Sequence, residues 1–426
     1  MLFSWLILVF ILEYTRPDHF LPFITQLKLY SILPLGLFFV TLVSATRTPN
    51  SEVLKSTTGK LLLALLLIAS VSALFAINKN MAWDKWRALL GYIFLFFMVA
   101  KLCDDRKKIA WLFRTVVGMH LLLIFQNPAL LTDPNLRSYV ENVTFLGDGN
   151  DFSLSVAVAL PMSLYLFQST KSKAGKVFYV LAAIVLLGAV MGTQSRGAAI
   201  AIIAVVLYLW TLSPHKGKGI VVIASGLLVV LAVASETYIS RMQTISHYQE
   251  DGSAMGRIEA WKGGIKMANE RPLVGMGPGC FSVAFGSRYA PPGWPWLTAH
   301  SMYFLALGEL GYPGLLLFLW LLWTLFRGSQ RIIRSIPRDT EPERLEYRRL
   351  LIAVTGSIIA FAVGGAFLSV LYYPHLYVIC GITFAVWRIY ELDCAKGEES
   401  ISTRKVEKCG SVNAVPDEIS RHGRSP

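Results

Sequence analysis

The chain has 426 residues, of which 54% are hydrophobic and only 16% charged. With a mean hydropathy of +0.52 it is no soluble globular enzyme but a protein that dissolves most of its residues in lipid. The formal net charge of +13 would suit a nucleic-acid binder. Here, however, the basic residues sit in short loops between apolar runs, where membrane topology asks for them, so the nucleic-acid reading falls away.

Apolar runs of bilayer-crossing character lie at about 2–14, 32–46, 60–77, 88–103, 109–125, 151–168, 176–191, 197–212, 219–236, 303–327, 350–370 and 375–390. The opening MLFSWLILVFIL runs into Glu13 without a small-residue cleavage pattern and is expected to stay as the first span. If the N-terminus is placed inside and the runs alternate, 26 Lys and Arg fall in inner segments and 13 in outer ones. The expected fold class is therefore all-α. It is a polytopic integral membrane protein of about 12 transmembrane helices with both ends cytoplasmic.

One outer loop, 237–299, is long enough to hold structure of its own. Within it, MGRIEAWKGGIKMANERP reads as an amphipathic helix at headgroup level, with Ile258, Trp261, Ile265 and Ala268 on one face. A second outer loop, 126–150, is polar and turn-rich. After residue 392 the chain turns polar and loses its apolar period, so the expected domains are a membrane domain 1–392 and a disordered cytoplasmic tail 393–426. The five cysteines show no C-x-x-C spacing and no grouping with histidine, so no metal site is expected.

Polar residues held at the outer ends of spans are the candidates for chemistry. Arg196 lies in the turn MGTQSRGAAI and is the only charge between Lys176 and Lys216, on the side where topology does not call for one. A guanidinium beside a helix N-terminus suits phosphate oxygens, although an arginine reaching for lipid headgroups would look the same. Thr193 and Ser195 are both positioned to cap the next helix. His300 stands at the mouth of the span after the long loop, followed by Ser301 and Tyr303; a neutral imidazole there accepts a proton at ambient pH, with a purely structural histidine as the alternative. Among the loop arginines Arg257 is preferred, because it opens the amphipathic helix; Arg241 comes second, ahead of Arg271 and Arg288. Gly275, Gly277 and Gly279 read as a turn rather than a nucleotide loop, since no strand precedes them and Pro278 interrupts them. Asp148 and Asp151 are expected to cap the next span, with contact to sugar hydroxyls as the alternative. Glu309 falls in a stretch that Gly308, Gly311, Pro313 and Gly314 are expected to break.

Taken in order, these features resemble the O-antigen ligase and polymerase superfamily. The resemblance rests on the Ser195-Arg196-Gly197 turn, the R-x-x-x-W of Arg257 and Trp261, P-L-x-G-x-G-x-G-x-F from Pro272 to Phe281, and H-S-x-Y-x(5)-E-x-G-x-x-G from His300 to Gly314. The early RPDHF and the segment GDGNDFSLSVAVALPM look closest to the exosortase-A-associated O-glycosylation ligases. The resemblance implies a glycosyltransferase at the periplasmic face of the bacterial inner membrane. Such an enzyme passes a glycan from an undecaprenyl-pyrophosphate carrier to an acceptor hydroxyl (on lipid, glycan or exported protein) without metal or cofactor. It implies Arg196 and His300 as catalytic residues and Arg257 as the loop arginine that binds substrate; Arg241 and Tyr303 join Arg257 as substrate-binding candidates from their positions in the sequence alone. A polymerase of the same superfamily and a lipid-linked glycan flippase are the alternatives. A flippase would be expected to show an internal repeat and ionisable residues near mid-membrane.

Overall fold

A computed structural model describes residues 1–133, 139–141, 145–233 and 252–412; Arg241 lies outside them. The described residues are overwhelmingly helical, and no β-strand occurs among them. In chain order the principal helices are α1 (Leu2–Thr15), α2 (Leu29–Val43), α3 (Thr57–Leu74), α4 (Lys79–Leu102), α5 (Arg106–Gln126), α6 (Gly149–Ser169), α7 (Lys173–Thr193) and α8 (Arg196–Leu212). They continue with α9 (Lys216–Val233), α10 (Gly252–Glu270), α11 (Met302–Ser335), α12 (Pro342–Gly364) and α13 (Pro374–Val412). Each apolar run of the sequence falls on one of them. Among the described residues six helices (α3, α5, α6, α7, α11 and α12) are long and apolar enough to cross a membrane, and α1, α2 and α8 are shorter apolar ones.

The helices start where short polar side chains can take up their first N–H groups. Asn78 accepts from Met81 N, Asp105 from Lys108 N, Asp148 from Asn150 N and Ser195 from Ala198 N. Thr193 does not share the capping role expected for it; its hydroxyl bonds back to the Val190 carbonyl and meets Ser153. Leu67, Phe178, Ile184, Ile203, Leu316, Trp320 and Trp323 stay exposed, the apolar outer surface that a bilayer solvates.

At the centre α6 and α12 pack on each other, with α7 and α8 against them. Small residues set the spacing. A Cβ on Gly356 would stand 3.0 Å from the Pro161 ring, and one on Gly364 only 2.5 Å from Leu154. The Ser357 hydroxyl donates to the Val158 carbonyl at 2.7 Å, closing a polar contact inside the apolar interface.

Helix α11 is broken, as its glycines and proline suggest. Gly311 has φ 71° and ψ −172°. The chain from Pro272 to Phe281 docks into that break: Met276 N donates to the Gly308 carbonyl, Gly277 N to the Glu309 carbonyl and Tyr312 N to the Pro272 carbonyl. The Glu309 side chain, 1% exposed, accepts from Gly279 N at 2.8 Å and Phe281 N at 3.0 Å. Gly275 lies so close that a Cβ would sit 2.4 Å from the Glu309 backbone, and its φ of 63° is one that glycine takes at no steric cost. The Gly-x-Gly-x-Gly stretch is thus a turn, and its fixed partner is the broken helix.

Helix α10 packs on α11. The face it buries is wider than the one its apolar period suggests. Ala268 is buried and Ile258 and Trp261 are half-buried, but Ile265 is 42% exposed, while Gly256, Ala260, Gly263, Gly264 and Met267 are buried. Small residues win because the approach is close: a Cβ on Gly264 would be 3.3 Å from the Phe304 carbonyl oxygen, and one on Gly263 2.6 Å from the Phe285 ring.

The chain divides into two units, Met1–Val386 and Trp387–Pro426. In the second, helix continues to Val412, where the sequence suggests a disordered tail from 393; no proline interrupts that stretch. Residues 413–426 lie outside those described.

Lys101, 2% exposed, donates to the carbonyls of Thr41 (2.8 Å) and Ser44 (3.3 Å) and to Asn50 Oδ1 (2.5 Å), tying the end of α4 to the end of α2. Replacing it with Met leaves these acceptors unmet, at a cost of about 1–3 kcal/mol. We expect a lower unfolding temperature for Lys101→Met in detergent; an unchanged one would refute the tie.

Candidate functional site

The polar end of the bundle is built from five segments. They are the start of α6 (148–151), the α7–α8 turn (194–197), the first turns of α10, the irregular chain 297–300, and the turn after α12 (368–373). The α7–α8 turn is tight. Gln194 takes the left-handed conformation (φ 54°) and ends α7, then Ser195 caps α8. Arg196 is consequently the first residue of α8, partly exposed, while Gln194 and Ser195 are buried.

These segments enclose a cavity of about 320 Å³. Arg196, Arg257 and His300 line it together with Asp148, Asn150, Asp151, Gln194, Thr298, Ser369 and Tyr373. A second cavity of about 370 Å³ shares Arg257 and His300 and is otherwise walled by Gly252, Gly256, Gly293, Trp294, Pro295 and Leu297. Arg257 and His300 therefore stand between a polar chamber and one walled by glycine, proline, tryptophan and leucine.

His300 is held by its backbone. Its φ is 45°, a left-handed value that a residue with a Cβ adopts only when its surroundings impose it. Two bonds do so. The Trp261 indole N–H donates to the Ala299 carbonyl at 3.0 Å while its ring stacks on Phe304, centroids 5.1 Å apart. The His300 N–H donates to Ser369 Oγ at 2.9 Å, and Thr298 Oγ1 lies 2.8 Å from the same oxygen. The tryptophan of the R-x-x-x-W element thus positions the histidine, and the arginine lines the cavity beside it.

Burial pushes the His300 imidazole below its ordinary pKa, the positive charge of Arg257 pushes it further, and Asp148 pulls the other way. The ring is neutral at pH 7. Opposite, Asp151 Oδ2 accepts from the Tyr373 hydroxyl at 2.9 Å. Asp148 is the cap of α6 and also reaches the chamber. One turn deeper, Ser155 Oγ lies 2.6 Å from Nε2 of both His120 and His375, a polar knot joining α5, α6 and the start of α13.

The other candidates separate clearly. Tyr303, expected to bind substrate, lines neither chamber, and its hydroxyl donates to the Ala362 carbonyl at 2.8 Å. Arg271 donates to the Phe75 carbonyl, and Arg288 pairs with Glu270. Arg114, within the α5 span, is exposed and lies over the Trp111 ring. Among the described residues no three His, Cys, Asp or Glu side chains converge as a metal site. Sequence reasoning did not reach Gln194, Asn150, Thr298, Ser369 or Tyr373. For Ser369 and Tyr373 the one usable signal is that the short turn before Pro374 falls on the same side as Arg196 and His300.

Fold and site define a polytopic helical membrane protein with an arginine-lined polar chamber at one end of its bundle. Residues 181–319 match the family model described as O-antigen ligase, a range that takes in Arg196, Arg257, His300 and Glu309. No curated protein matches the chain. The match supports a glycan-transferring protein of the ligase or polymerase type, and with the apolar helices it suggests a multi-pass protein of the bacterial inner membrane.

Glu309→Gln puts one amide N–H₂ where a backbone N–H needs an acceptor, and so loses one of two bonds, roughly 1–3 kcal/mol. Limited proteolysis should then cut 272–281 faster than in the wild type; equal rates would show that the carboxylate does not hold the loop.

Proposed function

We propose that the chain transfers a glycan from an undecaprenyl-pyrophosphate carrier to an acceptor hydroxyl at the periplasmic face of the inner membrane. The observation that carries this reading is the gathering of Arg196, Arg257 and His300, distant in sequence, on the walls of one cavity. The two guanidiniums hold the diphosphate and neutralise the charge that grows on it as the anomeric C–O bond breaks. The neutral His300 takes the proton from the acceptor oxygen as that oxygen bonds to the anomeric carbon. Attack and departure on opposite faces give inversion. Asp151, Asn150 and Gln194 offer the hydrogen bonds that sugar hydroxyls need. The second chamber, meeting the first at His300, gives a second substrate its own approach. In this reading the positive charge comes from arginine, so the reaction takes no metal.

The acceptor is an exported protein's Ser or Thr hydroxyl, a choice supported by the resemblance of the N-terminal half to the exosortase-associated branch. A carrier-linked glycan as acceptor would make the protein a polymerase instead. Purified protein, a lipid-linked donor and each acceptor class in detergent separate these, and transfer without a sealed compartment excludes a flippase.

His300→Ala should lower kcat by about 10²–10⁴-fold, the scale of a lost general base. Arg196→Ala should cost about 10²–10³-fold, with little rescue by Lys, which lacks the planar fork. Wild-type rates in either variant would sink the assignment. Transfer should fall as pH drops, with a midpoint below 6.5, because the folded-state pKa of His300 is lowered from that value. In Arg257→Gln the midpoint should move up; a midpoint that stays put would remove His300 as the titrating base. Chelation with EDTA should leave the rate unchanged.

A further inference from the structure

The far end of the same helices holds a third cavity, of about 560 Å³. Arg196 begins α8 at the first site, and Tyr208, Thr211 and Leu212 end it here, about 18–24 Å away at 1.5 Å per residue. Helices α11 and α12 likewise have one end near each cavity. The walls of this one are of two kinds. Leu212, Phe326, Ile333 and Ile336 are apolar, and Arg334, Arg338 and Arg348 supply three positive charges with no acidic residue in the lining. Glu346 on the same helix turns elsewhere, to Ser169 and Arg349.

Arginines at this end of spans are what topology asks for, and most of them snorkel into headgroups singly. Two features set this group apart. Arg338 is fixed, its guanidinium donating to the Leu212 carbonyl at 2.9 Å, and Gln330 and Tyr208 bond to each other beside it at 2.7 Å. Arg348 Nε is buried without a hydrogen-bond partner. Like charges converging on a cavity, with one donor unmet, are stable when an anion completes them.

We propose that this cavity binds an anionic phospholipid of the adjacent leaflet. Its phosphate diester sits against Arg338 and Arg348, and an acyl chain lies along Leu212, Phe326 and Ile333. The site is separate from the transfer chamber and does not depend on the reading of that chamber.

Unfolding temperature is measured for the full-length protein in detergent, titrated with phosphatidylglycerol, phosphatidylcholine or inorganic phosphate. Phosphatidylglycerol should raise it saturably, while phosphatidylcholine and inorganic phosphate should not. In the double variant Arg338→Gln, Arg348→Gln the half-saturating concentration should rise roughly tenfold or more, the scale of one lost charge-assisted bond. An equal response to phosphatidylcholine, or an unaltered response in the variant, overturns the proposal. Stabilisation by inorganic phosphate alone assigns a soluble anion and overturns the lipid. If the variant does not fold, a photoreactive phosphatidylglycerol on the wild type decides. Labels in 208–212 and 326–348 support the site, and labels confined elsewhere refute it.

Discussion

A buried carboxylate facing two backbone N–H groups holds the long loop to the bundle. Glu309 lies inside α11 just before the helix breaks, and the turn from Pro272 to Phe281 fills that break. In an apolar interior a carboxylate needs donors and a broken helix needs partners for its freed backbone groups. The glycine-rich turn meets both demands at once. The joint fixes the middle of the loop, with α10 before it packing on α11 by its own small residues and the chain leading to His300 after it.

Beside that joint the polar chamber is assembled by helix ends. Arg196 opens α8 and Asp148 caps α6, while His300 sits just ahead of α11. Each is at a terminus because a bilayer leaves helix interiors no water for their polar groups, so reactive side chains gather where spans stop. The loop adds what termini cannot, a second arginine reaching the chamber from the side. The arrangement places two cations beside a neutral base, a combination suited to an anionic leaving group and a hydroxyl nucleophile.

Much of this was legible. Apolar run length gave the helices, and the odd position of Arg196 in the charge pattern marked it as a residue that topology alone does not explain. Arg257 was chosen over Arg271 and Arg288, and it is the one of these three that lines the chamber. What escaped did so for physical reasons. Ser369 and Tyr373 belong to a short turn with no local pattern, and only tertiary folding brings them to His300. The apolar period of α10 marks Ala268, which is buried, and Ile265, which is exposed, but it misses the glycines, because contact distance depends on the smallest side chains rather than the greasiest. Tyr303 looked like a binder beside His300, yet as the second residue of α11 it turns toward α12.

The left-handed backbone at His300 bears on how the protein's mutational record would read. The imidazole points where it does because one indole and one serine hydroxyl keep a single peptide in a conformation it would otherwise leave. Loss of either partner removes one of the two bonds that hold that peptide, with the imidazole itself still present. Defects at Trp261 and Ser369 would then resemble loss of the histidine itself.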